Sequence, residues 1–228
     1  LGEYESIDEQ TTLFEQREAA EQIRAQVLAR ADLMAGFQNI FIAATLIVAM
    51  FMGCTFNAMN IISEKEDGVA LINEVLPMSR SQYVIQKIFV GFAFGSLSAV
   101  ITTLICFRLS LQSSLLMLAL ILLSSFVSAL IGLFVGRFSD GLMVGVVYIK
   151  IVMIAFLAIP LLKFLLGFSG GASFLCYIVP STATFEGIMG LLSESPILPE
   201  RDILILIVHC VAWFLLYIAL SICQKRQT

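Results

Sequence analysis

Apolar residues dominate this chain in runs too long for the core of a soluble domain, and the polar residues gather between the runs. Phe37 to Ile62 is the first run, long enough at about 1.5 Å per residue to cross about 30 Å of hydrocarbon. The pattern predicts four more spans, at about 88–107, 114–136, 142–166 and 203–223, with a polar loop over 63–87 and a tail over 224–228. Between the last two spans, 167–199 is apolar but interrupted by Gly170, Gly171, Pro180, Gly187, Gly190, Pro196 and Pro199. Its pieces are too short to cross. Irregular backbone at membrane depth survives only where protein or a water cavity covers it, so a re-entrant helical hairpin is expected.

Several spans carry stripes of small or polar residues at helical spacing. Gly53, Asn57, Asn60 and Glu64 follow one face of the first span, Gly91, Gly95, Ser98 and Thr102 of the second, and Ser125, Ala129, Gly132 and Gly136 of the third. Such stripes let helix backbones approach closely. An amide side chain in lipid leaves its polar atoms unsatisfied, so Asn57 and Asn60 either tie helices together or line a translocation path. Lys150, ten residues after Asp140, lies ~15 Å into the fourth span if the helix begins at Asp140. Either the helix starts later, near Val147, or Lys150 faces a cavity. Pro160 is expected to kink this span.

Residues 1–36 repeat an apolar position every seven residues at Leu13, Ala20, Val27 and Met34, with acids elsewhere, which predicts an amphipathic helical arm. Eight acids against three Arg fall in this arm, while the remaining nine acids nearly balance ten bases, so the net charge of −4 belongs to the arm. With 59% hydrophobic and 13% charged residues the chain reads as a polytopic membrane protein. The five Cys have no paired or metal-ligand spacing and read as small apolar fillers. No basic patch supports nucleic-acid binding, and no ring of acids or carbonyl-filter sequence supports a channel.

The polar loop carries the most specific signal. It reads Ser-Glu-Lys-Glu-Asp-Gly-Val-Ala-Leu-Ile-Asn-Glu-Val-Leu-Pro from Ser63 to Pro77, then Met-Ser-Arg-Ser-Gln-Tyr-Val-Ile-Gln-Lys to Lys87. Val69, Ile72, Val75 and Leu76 give a short amphipathic helix that Pro77 stops. This resembles the first cytoplasmic loop of ABC-2-type transporter permeases, where Glu-x-Glu-x-Gly-Thr leads into the coupling helix. The resemblance falls on Glu64, Glu66, Gly68, Leu76, Pro77, Ser79, Arg80, Tyr83 and Lys87; Val69 stands in place of the usual Thr, and Gln86 where a Gly often precedes the Lys.

The resemblance implies an all-α integral membrane protein of the ABC-2 type (type V exporter-like), with a cytoplasmic coupling helix and an outer re-entrant hairpin. The family has six spans, so its first is expected upstream of Leu1 and 1–36 becomes an outer segment. Glu64, Glu66 and Arg80 are then expected to make ionic contacts to an ATPase, and Val69, Ile72 and Leu76 apolar ones, with Gly68 and Pro77 bounding the helix. Asn57, Asn60 and Lys150 are candidates for the path. Pro180 and Glu186 match the hairpin's Pro-Ser/Thr…Glu signature, so Glu186 either helps gate the outer exit or sits at headgroup level.

No GxxxxGK[ST] phosphate loop occurs, so no cofactor is expected on this chain and ATP and Mg would belong to a partner. The implied assembly is two ABC ATPase subunits with two permease chains, homo- or heterodimeric, in a prokaryotic plasma (inner) membrane, exporting an amphipathic small molecule, peptide or lipid. Orientation rests on the resemblance, because Lys and Arg divide six against six between the two sides. One competing reading is an intramembrane serine protease: Gly167-Phe168-Ser169-Gly170 matches a GxSG nucleophile sequence, with His209 as the base. A non-catalytic channel or scaffold subunit is another. Co-purification with an ATPase, labelling of Ser169 and ATP-independent conductance separate the three.

Overall fold

The computed structural model describes residues 2–68, 80–106, 111–167, 171–193 and 200–225, with side chains for 21–68, 82–106, 113–167, 171, 173–193 and 200–220. Among them are seven helices and no strand: α1 (Gly2–Glu66), α2 (Arg80–Cys106), α3 (Leu111–Phe138), α4 (Leu142–Leu166), α5 (Gly171–Cys176), α6 (Pro180–Leu192) and α7 (Glu200–Lys225). In five of them, α1, α2, α3, α4 and α7, a stretch is long and apolar enough to cross a bilayer.

The chain divides into two units, 1–41 and 42–228. In the first, the side chains of Ile23, Val27, Met34 and Phe37 are exposed, so Val27 and Met34 of the seven-residue stripe have no cover among the described residues of that unit.

In the second unit, close backbone contact organises the helices, as expected where lipid removes any hydrophobic drive between them. At Gly53 of α1 an added Cβ would collide with the Gly91 carbonyl of α2, and at Gly132 of α3 it would come within 2.6 Å of the Cys54 carbonyl oxygen. The stretch of α1 around Gly53 and Cys54 is thus wedged between α2 and α3. Phe51, Cys54, Ala58 and Ile62 recur at helical spacing and pack on Val127, Ile131 and Val135 of α3 and on Ile149 and Phe156 of α4. Polar seams follow the same contacts: the Cys54 amide donates to Ser128 Oγ at 3.2 Å, and Thr184 Oγ1 of α6 to Ser124 Oγ at 3.0 Å.

Several boundaries differ from the hydropathy pattern. α1 continues to Glu66 and α2 begins at Arg80, so both helices run into the polar loop expected over 63–87. The reason is pairing between them, set out below. α7 starts at Glu200, where Glu200 and Asp202 in its first turn suit the positive end of the helix. α4 keeps Pro160 inside, loses one backbone hydrogen bond there, and ends on Gly167 in the left-handed region, φ 60°.

Residues 171–193 form two short helices joined by a tight turn. The amides of Tyr177, Ile178 and Val179 donate to the carbonyls of Phe174, Leu175 and Cys176, and Thr182 Oγ1 returns to the Cys176 carbonyl at 2.7 Å. Backbone polar groups of the turn are therefore occupied locally. α6, about 20 Å long at 13 residues, packs on α3, α4 and α7 with Pro180 to Phe185 buried.

Candidate functional site

Polar side chains converge where α1 ends. Asn60 and Glu64 are one turn apart on α1, and Tyr83 and Lys87 one turn apart on α2, so each pair shares a helix face. The faces meet. Lys87 Nζ reaches Glu64 Oε1 at 2.5 Å and also donates to Asn60 Oδ1; Tyr83 Oη donates to Glu64 Oε2 at 2.7 Å. Both carboxylate oxygens are thereby used, and the ammonium lies 5.2 Å from the centre of the Tyr83 ring. The Lys87 side chain is 7% exposed, so its charge is tolerable only with these partners.

The next two residues turn to other helices. Lys65 Nζ donates to the carbonyls of Gly136 at 2.8 Å, Arg137 at 2.7 Å and Ser139 at 3.1 Å, using all three of its N–H groups at the end of α3. Glu66 Oε1 accepts from the Leu142 amide, the first of α4, at 2.6 Å. α1 then closes: the Asp67 amide donates to the Ser63 carbonyl at 2.9 Å, and Gly68 takes φ 69°, a left-handed C-terminal position that glycine adopts without a Cβ penalty. Three consecutive residues of one turn therefore bind α2, α3 and α4.

A second polar cluster joins α4, the α5–α6 turn and α7. Lys163 of α4 is buried and pairs with Glu186 of α6, whose Oε2 accepts from the Tyr177 hydroxyl. The Lys163 ammonium sits 3.6 Å from the centre of the Tyr177 ring, and the Arg201 guanidinium 5.0 Å from it. His209 Nε2 lies 2.8 Å from the Tyr177 carbonyl oxygen. Burial, and next the bond to Glu186, push the Tyr177 hydroxyl above its ordinary pKa, so it remains a proton donor.

These rows of helices resolve into a family on one further finding. A family model described as ABC-2 family transporter protein matches residues 4–219. The chain belongs to the ABC-2 transporter family. No curated protein and no solved structure matches it. As an ABC-2 protein it is a multi-pass membrane permease of an ABC transporter, a type of chain that is typically non-catalytic and partners an ABC ATPase subunit.

Within that family frame the expected site residues fall as follows. Glu64 and Glu66 stand at the loop's entrance and are engaged inside the chain, on Lys87 and Tyr83 and on the Leu142 amide. Gly68 closes α1 and Arg80 opens α2; Val69, Ile72, Leu76 and Pro77 lie outside the described residues. Asn57 is fully buried and donates to the Ala129 carbonyl at 2.8 Å, so it ties α1 to α3. Asn60 pairs with Lys87, and Lys150 is exposed on α4. The three are not brought together around one cavity: the first two are spent on helix contacts. Pro180 is the first residue of α6, and Glu186 is held by Lys163 and Tyr177. Ser169 lies outside the described residues, and His209 is engaged by the Tyr177 backbone.

Sequence reasoning missed Lys65, Lys163 and Tyr177 as site residues. Lys65 gave no signal, because its partners are backbone carbonyls. Lys163, one of two charges in its apolar span, and Glu186, the one charge of α6, could have been paired by their shared cost in lipid.

Proposed function

We propose that this permease works as a pair of permease chains, identical or related, driven by two ATPase subunits that carry the ATP and Mg. The loop after Gly68 is the coupling element. It faces the cytoplasm, and ATP-driven closure of the ATPases presses on it and switches the bundle between inward- and outward-open states. One observation carries the reading: the turn of α1 that leads into this loop is bonded to α2, α3 and α4 at once, so force entering there reaches three helices.

In this reading Glu64 and Glu66 transmit the force instead of contacting the ATPase, and Arg80 with Val69, Ile72, Leu76 and Pro77 supplies the contact surface. Export is the favoured direction. The apolar bundle with polar seams suits an amphipathic small molecule, peptide or lipid, carried across a prokaryotic plasma (inner) membrane. Glu186, held by Lys163 and Tyr177 beside Pro180, belongs to the outer exit in the same scheme.

Co-expression with a Walker-motif ATPase subunit, co-purification and reconstitution into liposomes test this. ATP-dependent movement of cargo by the complex is expected. Failure to capture any ATPase, or conductance without ATP, overturns it.

A further inference from the structure

Lys65 and Glu66 are neighbours of opposite charge aimed at the facing ends of two consecutive helices. The ammonium occupies the carbonyl end of α3 through Gly136, Arg137 and Ser139, and the carboxylate occupies the amide end of α4 through Leu142. Each charge matches the partial charge of the end it meets. Gly141 at the N-cap of α4 has no side chain, and among the described residues the side-chain acceptor for this end comes from α1.

We propose that Lys65 and Glu66 are positioning residues that make the α3–α4 turn a second lever, so that displacement of the loop after Gly68 carries this turn with it. The inference rests on the coupling role proposed above. On the α1 side only Asp67 and Gly68 separate the clamp from the loop, while Arg80 of α2 follows it directly on the other, so a push on the loop reaches Lys65 and Glu66 within two residues. From Leu142 the motion passes along one helix to Lys163, and through its ion pair to Glu186. Both ends of the bundle are thereby tied to one turn of α1.

The test uses the reconstituted permease–ATPase complex, with native cysteines replaced and transport retained, and spin labels at Ser63→Cys and Met143→Cys, both exposed positions. In the parent the distance between the labels stays narrow and unchanged between nucleotide-free and ATP-trapped states. In K65M, E66A and the double variant, complex assembly and ATP hydrolysis persist. Cargo moved per ATP falls about threefold in each single variant, the size expected for a lost charge at a helix end. It falls further in the double, the label distance broadens, and K65R restores both. Parent-like transport per ATP in the double, or a parent label distance that changes with ATP, overturns the lever. Where the double does not reach the membrane, E66A alone carries the same readouts. Loss of ATP-driven transport by the parent itself removes the coupling reading and the lever together, whereas a fully coupled double removes only the lever.

Discussion

The two polar clusters hold the bundle by different means. At the end of α1 four bonds go from a side chain to a helix terminus and three join side chains across the facing sides of α1 and α2. At Lys163 the bonds run between side chains and over an aromatic ring, with Glu186 a third exposed. Bonds to backbone fix where helices end. Bonds between side chains fix only how helices sit while those side chains stay put. The first cluster thus anchors helix ends, and the second sets how α4, α6 and the turn before it sit against one another.

Lys87→Met should separate them most sharply. It leaves the Glu64 carboxylate without its cation, a loss of about 3–5 kcal/mol for a buried pair. Melting of the purified protein in detergent should show a large drop, with much of it recovered in the Lys87→Met/Glu64→Gln double variant; additive losses in the double would mean the pair does not act as a unit. Lys163→Met should cost less, about 1–3 kcal/mol, because it strands one acceptor, Glu186, where Lys87→Met strands both Glu64 and Asn60, and Glu186 is the more exposed carboxylate. A drop matching that of Lys87→Met would erase the distinction between the clusters.

Smaller effects refine it. Gly68→Ala forces a Cβ onto φ 69° and should cost about 1 kcal/mol, while lowering transport per ATP, since the loop leaves α1 at that residue. Unaltered coupling would show that the exit angle from α1 does not matter. Tyr177→Phe keeps the ring under Lys163 and removes one hydroxyl, for about 0.5–1.5 kcal/mol, read as a small shift in melting temperature. A larger loss than Lys163→Met would place the hydroxyl, and not the ion pair, at the centre of that cluster.

Much of the fold was legible because the membrane makes it so. Runs of apolar residues mark the helices, and the spacing of Gly53, Gly91, Gly95, Gly132 and Gly136 marks the faces that touch. Helix ends were less legible. Hydropathy stops a span where charge begins, yet α1 and α2 continue through Glu64 and Lys87 because the two charges neutralise each other across 23 residues of sequence. The site residues Glu64, Glu66 and Glu186 could be picked as acids beside lipid, and Lys163 was open to the same reasoning, but the backbone partner of Glu66 was not. Glu66 ends on an amide 76 residues away and Asn57 on a carbonyl 72 residues away, and neither partner is a side chain that a spacing rule can see.

That asymmetry bears on how such a molecule tolerates mutation. Lys65 grips Gly136, Arg137 and Ser139 by atoms that every amino acid owns, so the attachment itself makes no demand on their side chains, although Ile61, 2.8 Å from where a Cβ would stand, still holds Gly136 to glycine. Selection on the joint falls on one side chain alone, and searches for co-varying residue pairs will pass over it.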